Sequence, residues 1–181
     1  VKKKTSYTAT HRLHFDDGRV KYVNEYCRTE YDQDGNPAIS VGVMQDITEY
    51  KSMVQKCKES EQRYRSLFDT IFSCVAVYKA VQNGKDFEFL DLNSFAEKIE
   101  NIKKEDVIGK RLTTVFPGVE AFGLLDVLKR VWETGKPETL PATLYEDDNI
   151  QSWRENQVYR LSTGDIVAVY HTLPDKNRLN C

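Results

Sequence analysis

The sequence predicts an α+β fold, and three observations carry that reading. Runs with the two-residue alternation of β-strands stand in separate blocks, over 7–47, 74–92 and 138–173. A long segment with apolar residues every three or four positions, the spacing of a helix face, begins at Ile47. Helical stretches over 93–135 are grouped between two sets of strands rather than alternating with single ones, which points to an antiparallel sheet with its helices on one face.

The first block holds a predicted three-stranded meander. In "YTATHRLHF" the set Tyr7, Ala9, His11, Leu13, Phe15 alternates with Thr8, Thr10, Arg12, His14. "DDG" supplies a turn, "RVKYVNEYCRTEY" a second strand, "DQDGNP" another turn and "AISVGVMQDI" a third strand. Such a meander needs one face covered to be stable, so 1–47 reads as the back half of a domain.

From Ile47 the period changes. Ile47, Tyr50, Val54, Cys57, Glu61, Tyr64, Phe68 and Ile71 follow a 3-4-3-4-3-4-3 spacing, a heptad seam broken by Glu61. That predicts a linker helix over 48–72 able to pair with a second copy of itself. The other reading of the same spacing is a single amphipathic helix lying on a sheet. The charges between these positions are those of a solvated face.

The second unit, 73–175, opens with strands "CVAVYKAV" and "DFEFLDL" about a hairpin at "QNGK". "NSFAEKIEN" and "KEDVIGK" read as short helices or helical turns. "VEAFGLLDVLKRVWETGKP" reads as one helix ended by Gly135, with Pro137 beyond. Strands "ETLPATLYE", "SWRENQVYRLS" and "DIVAVYHTL" finish the sheet, and 176–181 is a tail. The architecture expected is a five-stranded antiparallel sheet with helices on one face, preceded by a linker helix and a partial three-stranded sheet.

Composition sets the class. The chain has 181 residues, 40% apolar and 30% charged, with a net charge of −2. No apolar run approaches the roughly 18 residues of a membrane span, and no hydrophobic segment follows the lysines of "VKKKTSYTAT". There is no basic stripe to attract nucleic acid. Cys27, Cys57, Cys74 and Cys181 lack disulfide or zinc spacing and read as reduced thiols of a cytoplasmic protein.

Two stretches carry a family resemblance. "FLDLNSFAEKIENIKKEDVIGKRLTTVFP" resembles the front half of a PAS domain, with Asn93 at the strand-to-helix step and Glu105, Asp106, Gly109 and Lys110 at the "E-x-x-x-G-K" turn. "GVMQDITEYK" resembles the end of one, where the last strand runs into Asp-Ile-Thr and an exit helix. Aligned on their last strands, "SVGVMQDIT" at 40–48 lies over "IVAVYHTLP" at 166–174. The chain is therefore similar to the tail of one PAS domain, a linker helix and one PAS domain, a piece of a larger sensor such as a sensor histidine kinase. The resemblance gives Asp46, Ile47 and Thr48 a role: a strand fused directly to an N-capped helix passes movement of the sheet to the helix. The second copy departs from the pattern, with Thr172, Leu173 and Pro174 in place of Asp-Ile-Thr.

Ligand chemistry has to be argued from individual positions. Photoactive flavin relatives place a reactive Cys where this chain has Leu112, and haem relatives draw a His from a region that holds none at 117–140. Both cofactors are therefore disfavoured, and the cofactor is left unknown. His171 reads as a sheet residue. His11 and His14, three apart on a strand, point to opposite faces and do not share a metal. Asn93 reads as a structural cap, Gly109 as a structural turn residue. A small-molecule ligand would lie between sheet and helices, and the inward candidates are Val75, Val77, Phe87, Phe89, Leu128, Trp132, Tyr159 and Val169, with Tyr159 and Arg160 as the polar groups. No nucleophile–base set is visible, so no enzymatic activity is expected of this segment. The expectation is a sensory PAS module coupled to a dimeric helix; the alternative is a structural dimerisation module that binds nothing.

Overall fold

A computed structural model describes residues 4–148 and 150–173. The predicted tail at 176–181, and Pro174, lie outside the described residues. The chain forms two compact units, Val1–Tyr64 and Arg65–Cys181. The boundary falls inside the linker helix rather than at its ends, because the last turns of that helix pack with the second unit.

In the first unit β1 (Lys4–His14), β2 (Val20–Tyr31) and β3 (Pro37–Asp46) form an antiparallel sheet in the order β1-β2-β3. Tyr7 lies opposite Cys27, and Cys27 opposite Gly42. Val23 is its buried hydrophobic residue among those described. The face carrying Tyr26, Ile39, Val41 and Val43 is exposed, with Val43 at 67% of full accessibility.

The helix α1 (Thr48–Thr70) begins two residues after β3. The join is held to the sheet by backbone and side chain together. Ile47 N–H donates to the Tyr22 carbonyl at 2.8 Å, and Tyr22 N–H donates to Thr48 Oγ1 at 2.8 Å. The Asp46 carboxylate accepts from Thr48 N–H at 3.0 Å and pairs with Lys21 Nζ at 2.8 Å. The chain needs no turn residue here because Asp46 and Thr48 satisfy the groups that a turn would otherwise leave open.

In the second unit β4 (Cys74–Val81), β5 (Asp86–Leu92), β6 (Glu138–Glu146), β7 (Gln151–Arg160) and β8 (Ile166–Leu173) form an antiparallel sheet in the order β5-β4-β8-β7-β6. Between β5 and β6 lie α2 (Ser94–Glu100), α3 (Lys104–Val107), α4 (Leu112–Val115), α5 (Val119–Phe122) and α6 (Leu124–Thr134). The single helix expected over 119–135 is broken at Gly123, whose φ of 85° closes α5 and opens α6. Four-residue α4 was not foreseen, since "LTTV" is rich in β-branched residues. Gly135 ends α6 at φ 70°.

Strand alternation divides this sheet cleanly. Cys74, Ala76 and Tyr78 of β4 and Ile166, Ala168 and Tyr170 of β8 enter the main core under the helices. Val75, Val77 and Val167 form a smaller cluster with Phe68 of α1, and Val169 packs against it. At the β4–β5 hairpin Gln82, Asn83 and Gly84 all have positive φ. A Cβ on Gly84 would run into the Trp132 ring, so glycine lets α6 approach this hairpin.

Candidate functional site

Two groups of side chains in the second unit have the geometry of a site. The first joins the β5–α2 step to the end of α1. Asn93 is fully buried and caps α2 through a 3.0 Å bond from Ala96 N–H to its Oδ1. The same Oδ1 accepts from Val75 N–H at 3.0 Å, while Nδ2 donates to the Phe68 carbonyl at 3.1 Å and the Ser73 carbonyl at 2.9 Å. Asp91 pairs with Arg65 Nη1 at 2.7 Å and with Lys104 Nζ. Asp69 accepts from Ser94 N–H at 3.0 Å and from Ser94 Oγ at 2.8 Å. Arg65, Phe68 and Asp69 are thus all held by the segment Asp91–Ser94.

The second group lies at a small cavity between sheet and helices, about 20 Å³ in volume, room for about one water molecule. Arg154 reaches into it from β7. Its Nη2 pairs with Glu100 Oε2 at 2.8 Å and its Nε donates to Ser152 Oγ at 2.8 Å. Its guanidinium carbon stands 4.4 Å from the centre of the Tyr145 ring and 5.7 Å from that of Tyr170, within cation–π range. Tyr145 in turn meets Phe122 edge-on at 5.5 Å and donates its hydroxyl to Asp147 at 2.5 Å. Asn156, 1% exposed, also lines the cavity. Two enclosed polar atoms, Glu100 Oε1 and Asn156 Nδ2, have no hydrogen-bond partner among the described residues.

Burial dominates the acidities around this cavity. It pushes the Cys74 thiol up to about 12, with the Glu100 charge adding to the effect. Burial first, then the same carboxylate, raises Tyr78 and Tyr170. Tyr145 is raised by burial and then by its bond to Asp147. All four groups hold their protons well above neutral pH.

The eight inward candidates are not brought together around this cavity. Phe87, Phe89 and Leu128 are fully buried elsewhere in the main core, and Trp132 packs against that core. Val75, Val77 and Val169 are on the opposite face of the sheet, because Val75 and Val77 have the other strand parity from Ala76 and Tyr78. Tyr159 is at the surface, and Arg160 donates to the Trp132 carbonyl at 2.5 Å instead of facing a ligand. On β7 the inward set is Arg154, Asn156 and Val158. Tyr159, the inward candidate on this strand, has the other parity. The signal for the right one was Val158, with polar residues two and four positions before it.

Leu112, at the position considered for a flavin thiol, lines the cavity. His171 is exposed, 3.4 Å from Ser73 Oγ. Gly109 adopts φ 77°, and its N–H donates to the Phe89 carbonyl at 2.9 Å, while Phe89 N–H donates to the Lys110 carbonyl at 3.0 Å. The turn is thereby laid against β5. Along the heptad seam Tyr50, Val54, Cys57 and Tyr64 are exposed, but Phe68 is buried against valines of the sheet and Ile71 lies just past the end of α1. Among the described residues no helix is long and apolar enough to cross a membrane.

No family model matches the chain, and no curated protein sequence matches it. Solved structures do. A LOV protein from Rhodobacter sphaeroides is similar at 8% identity and a TM-score of 0.50, with 67% of this chain and 70% of that one covered. A domain of a sensory box sensor histidine kinase/response regulator from Geobacter sulfurreducens is 17% identical at a TM-score of 0.49, covering 62% of this chain and 93% of that one. The PAS domain of an HTR-like protein from Haloarcula marismortui is 16% identical at 0.46, covering 64% and 99%. At such identities the likeness is one of fold: the second unit is a PAS-like domain, a five-stranded antiparallel sheet with helices.

Proposed function

We propose that this chain is a sensory or regulatory module of a signal-transduction protein, in which the state of the PAS-like unit is passed to α1 and, through α1, to a second copy of the chain. The observation that carries the reading is the clamp of Asn93, Asp91 and Ser94 on Phe68, Arg65 and Asp69. A displacement of β5 or α2 has a direct hydrogen-bonded route to the helix. At its other end α1 is tied to Tyr22 through Thr48 and Ile47. The role is regulatory rather than catalytic, in a protein of the two-component or a similar class, and pairing uses the exposed seam at Tyr50, Val54 and Cys57.

Sedimentation velocity on the wild-type chain and on Val54→Asp tests the pairing. A wild-type dimer converted to a monomer by the substitution supports the reading; a wild-type monomer, or a dimer indifferent to Val54, refutes it. A structural dimerisation module that binds no ligand is the second reading, favoured by the small volume of the cavity.

A further inference from the structure

Asp91 serves two cations that come from different elements of the second unit. Its side chain is 11% exposed. One oxygen, Oδ2, accepts from Arg65 Nη1 of α1 at 2.7 Å. The other, Oδ1, pairs with Lys104 Nζ of α3 and accepts from Leu92 N–H at 2.8 Å. Lys104 is itself fixed, its N–H donating to Glu97 Oε1 of α2 at 2.7 Å. Its charge also reaches α1. Burial opposes ionisation of the Asp69 carboxyl, yet the bonds from Ser94 and then the charges of Lys104 and Arg65 hold it below its ordinary value. From Lys104, α3 runs on into the Gly109 turn, which is bonded to β5 through both the N–H and the carbonyl of Phe89.

Two like charges on one carboxylate work against each other. The attraction of each for Asp91 is offset by the repulsion between them, at a separation well within the screening length. Arg65 is therefore held less firmly than Asp91 alone would hold it. We propose that Lys104 is a regulatory input to the clamp: α3, by presenting or withdrawing this ammonium at Asp91, weakens or strengthens the hold of β5 on the last turns of α1. A lysine that only neutralised a buried carboxylate would act with the opposite sign, since its loss would loosen the clamp. This rests on the sensor reading above and names the element through which a movement enters it.

Amide hydrogen exchange of the full chain, followed by NMR at residues 66–70, separates the two signs. Lys104→Met is expected to slow exchange there about two- to threefold, the scale of a partly exposed charge interaction. Lys104→Arg, which keeps the charge, is expected to leave the wild-type rates. In an Asp91→Asn background Lys104→Met is expected to change nothing at 66–70, because no shared carboxylate remains. Faster or unchanged exchange in Lys104→Met would overturn the proposal, and so would a slowing that persists with Asp91→Asn. The two Lys104 variants decide even if Asp91→Asn does not fold. These amides report the hold within one chain whether or not α1 pairs. Sedimentation of the same samples reports pairing, so failure of this input and failure of the sensor reading are separate outcomes.

Discussion

Asn93 donates to the Phe68 carbonyl at 3.1 Å, joining the step after β5 to a helix residue 25 positions earlier in the chain. Its four hydrogen bonds all go to backbone groups, at a place closed to water. Asn93→Ala removes all four bonds, each worth about 1 kcal/mol or more at this buried place. The expected loss is at least about 3 kcal/mol of stability, read from the urea midpoint. A loss below about 1 kcal/mol would mean that water replaces the amide and that the clamp is loose.

Glu100 and Arg154 form a buried ion pair. Glu100→Leu alone strands the guanidinium and is expected to cost about 3–5 kcal/mol. The double variant Glu100→Leu, Arg154→Met removes both charges and recovers most of that loss. Urea unfolding of the four members of the cycle gives the coupling directly, and additive losses would show that the two side chains act independently.

The Cys74 thiol, raised by burial from its ordinary 9.0 to about 12, holds its proton more tightly folded than unfolded. Stability from this group is present below the unfolded value and is lost as pH rises from about 9 to about 12. Tyr78 and Tyr170 are raised in the same direction and add to the alkaline limb. At pH 8 an alkylating reagent is expected to modify exposed Cys57 readily and Cys74 only after unfolding, with mass mapping of the labelled peptides as the readout.

The first unit buries little apolar surface, with Val23 its buried hydrophobic residue among those described. Amides of β1–β3 are expected to exchange with deuterium much faster than those of β4 and β8, whose inward residues enter the main core. Equal protection of both sheets would show that something covers the face of Ile39, Val41 and Val43.

The strands and the hairpin at 82–84 were legible because period-two alternation and turn residues are local properties. The break at Gly123 was not, because the apolar stripe runs through it and only the backbone angle separates α5 from α6. Asn93 could be read as a cap, but its bonds to Phe68 and Ser73 span 25 and 20 positions and leave no local pattern. The inward side of β7 was hidden for a related reason: buried Arg154 and Asn156 look like surface residues until the strand parity of β7 is known. Phe68 fitted the heptad equally well as a seam or as a sheet contact, and packing decided between them.

In the function proposed above, the Asn93 clamp couples the PAS-like unit to the pairing of α1. A spin label on Cys57, with Cys27→Ser, Cys74→Ala and Cys181→Ser in the background, reports the distance between two paired helices by pulsed electron resonance. One narrow distance is expected in the parent protein, and a shifted or broadened distribution when Asn93→Ala is added. Absence of dipolar coupling, or a distribution that Asn93→Ala leaves unchanged, would contradict it.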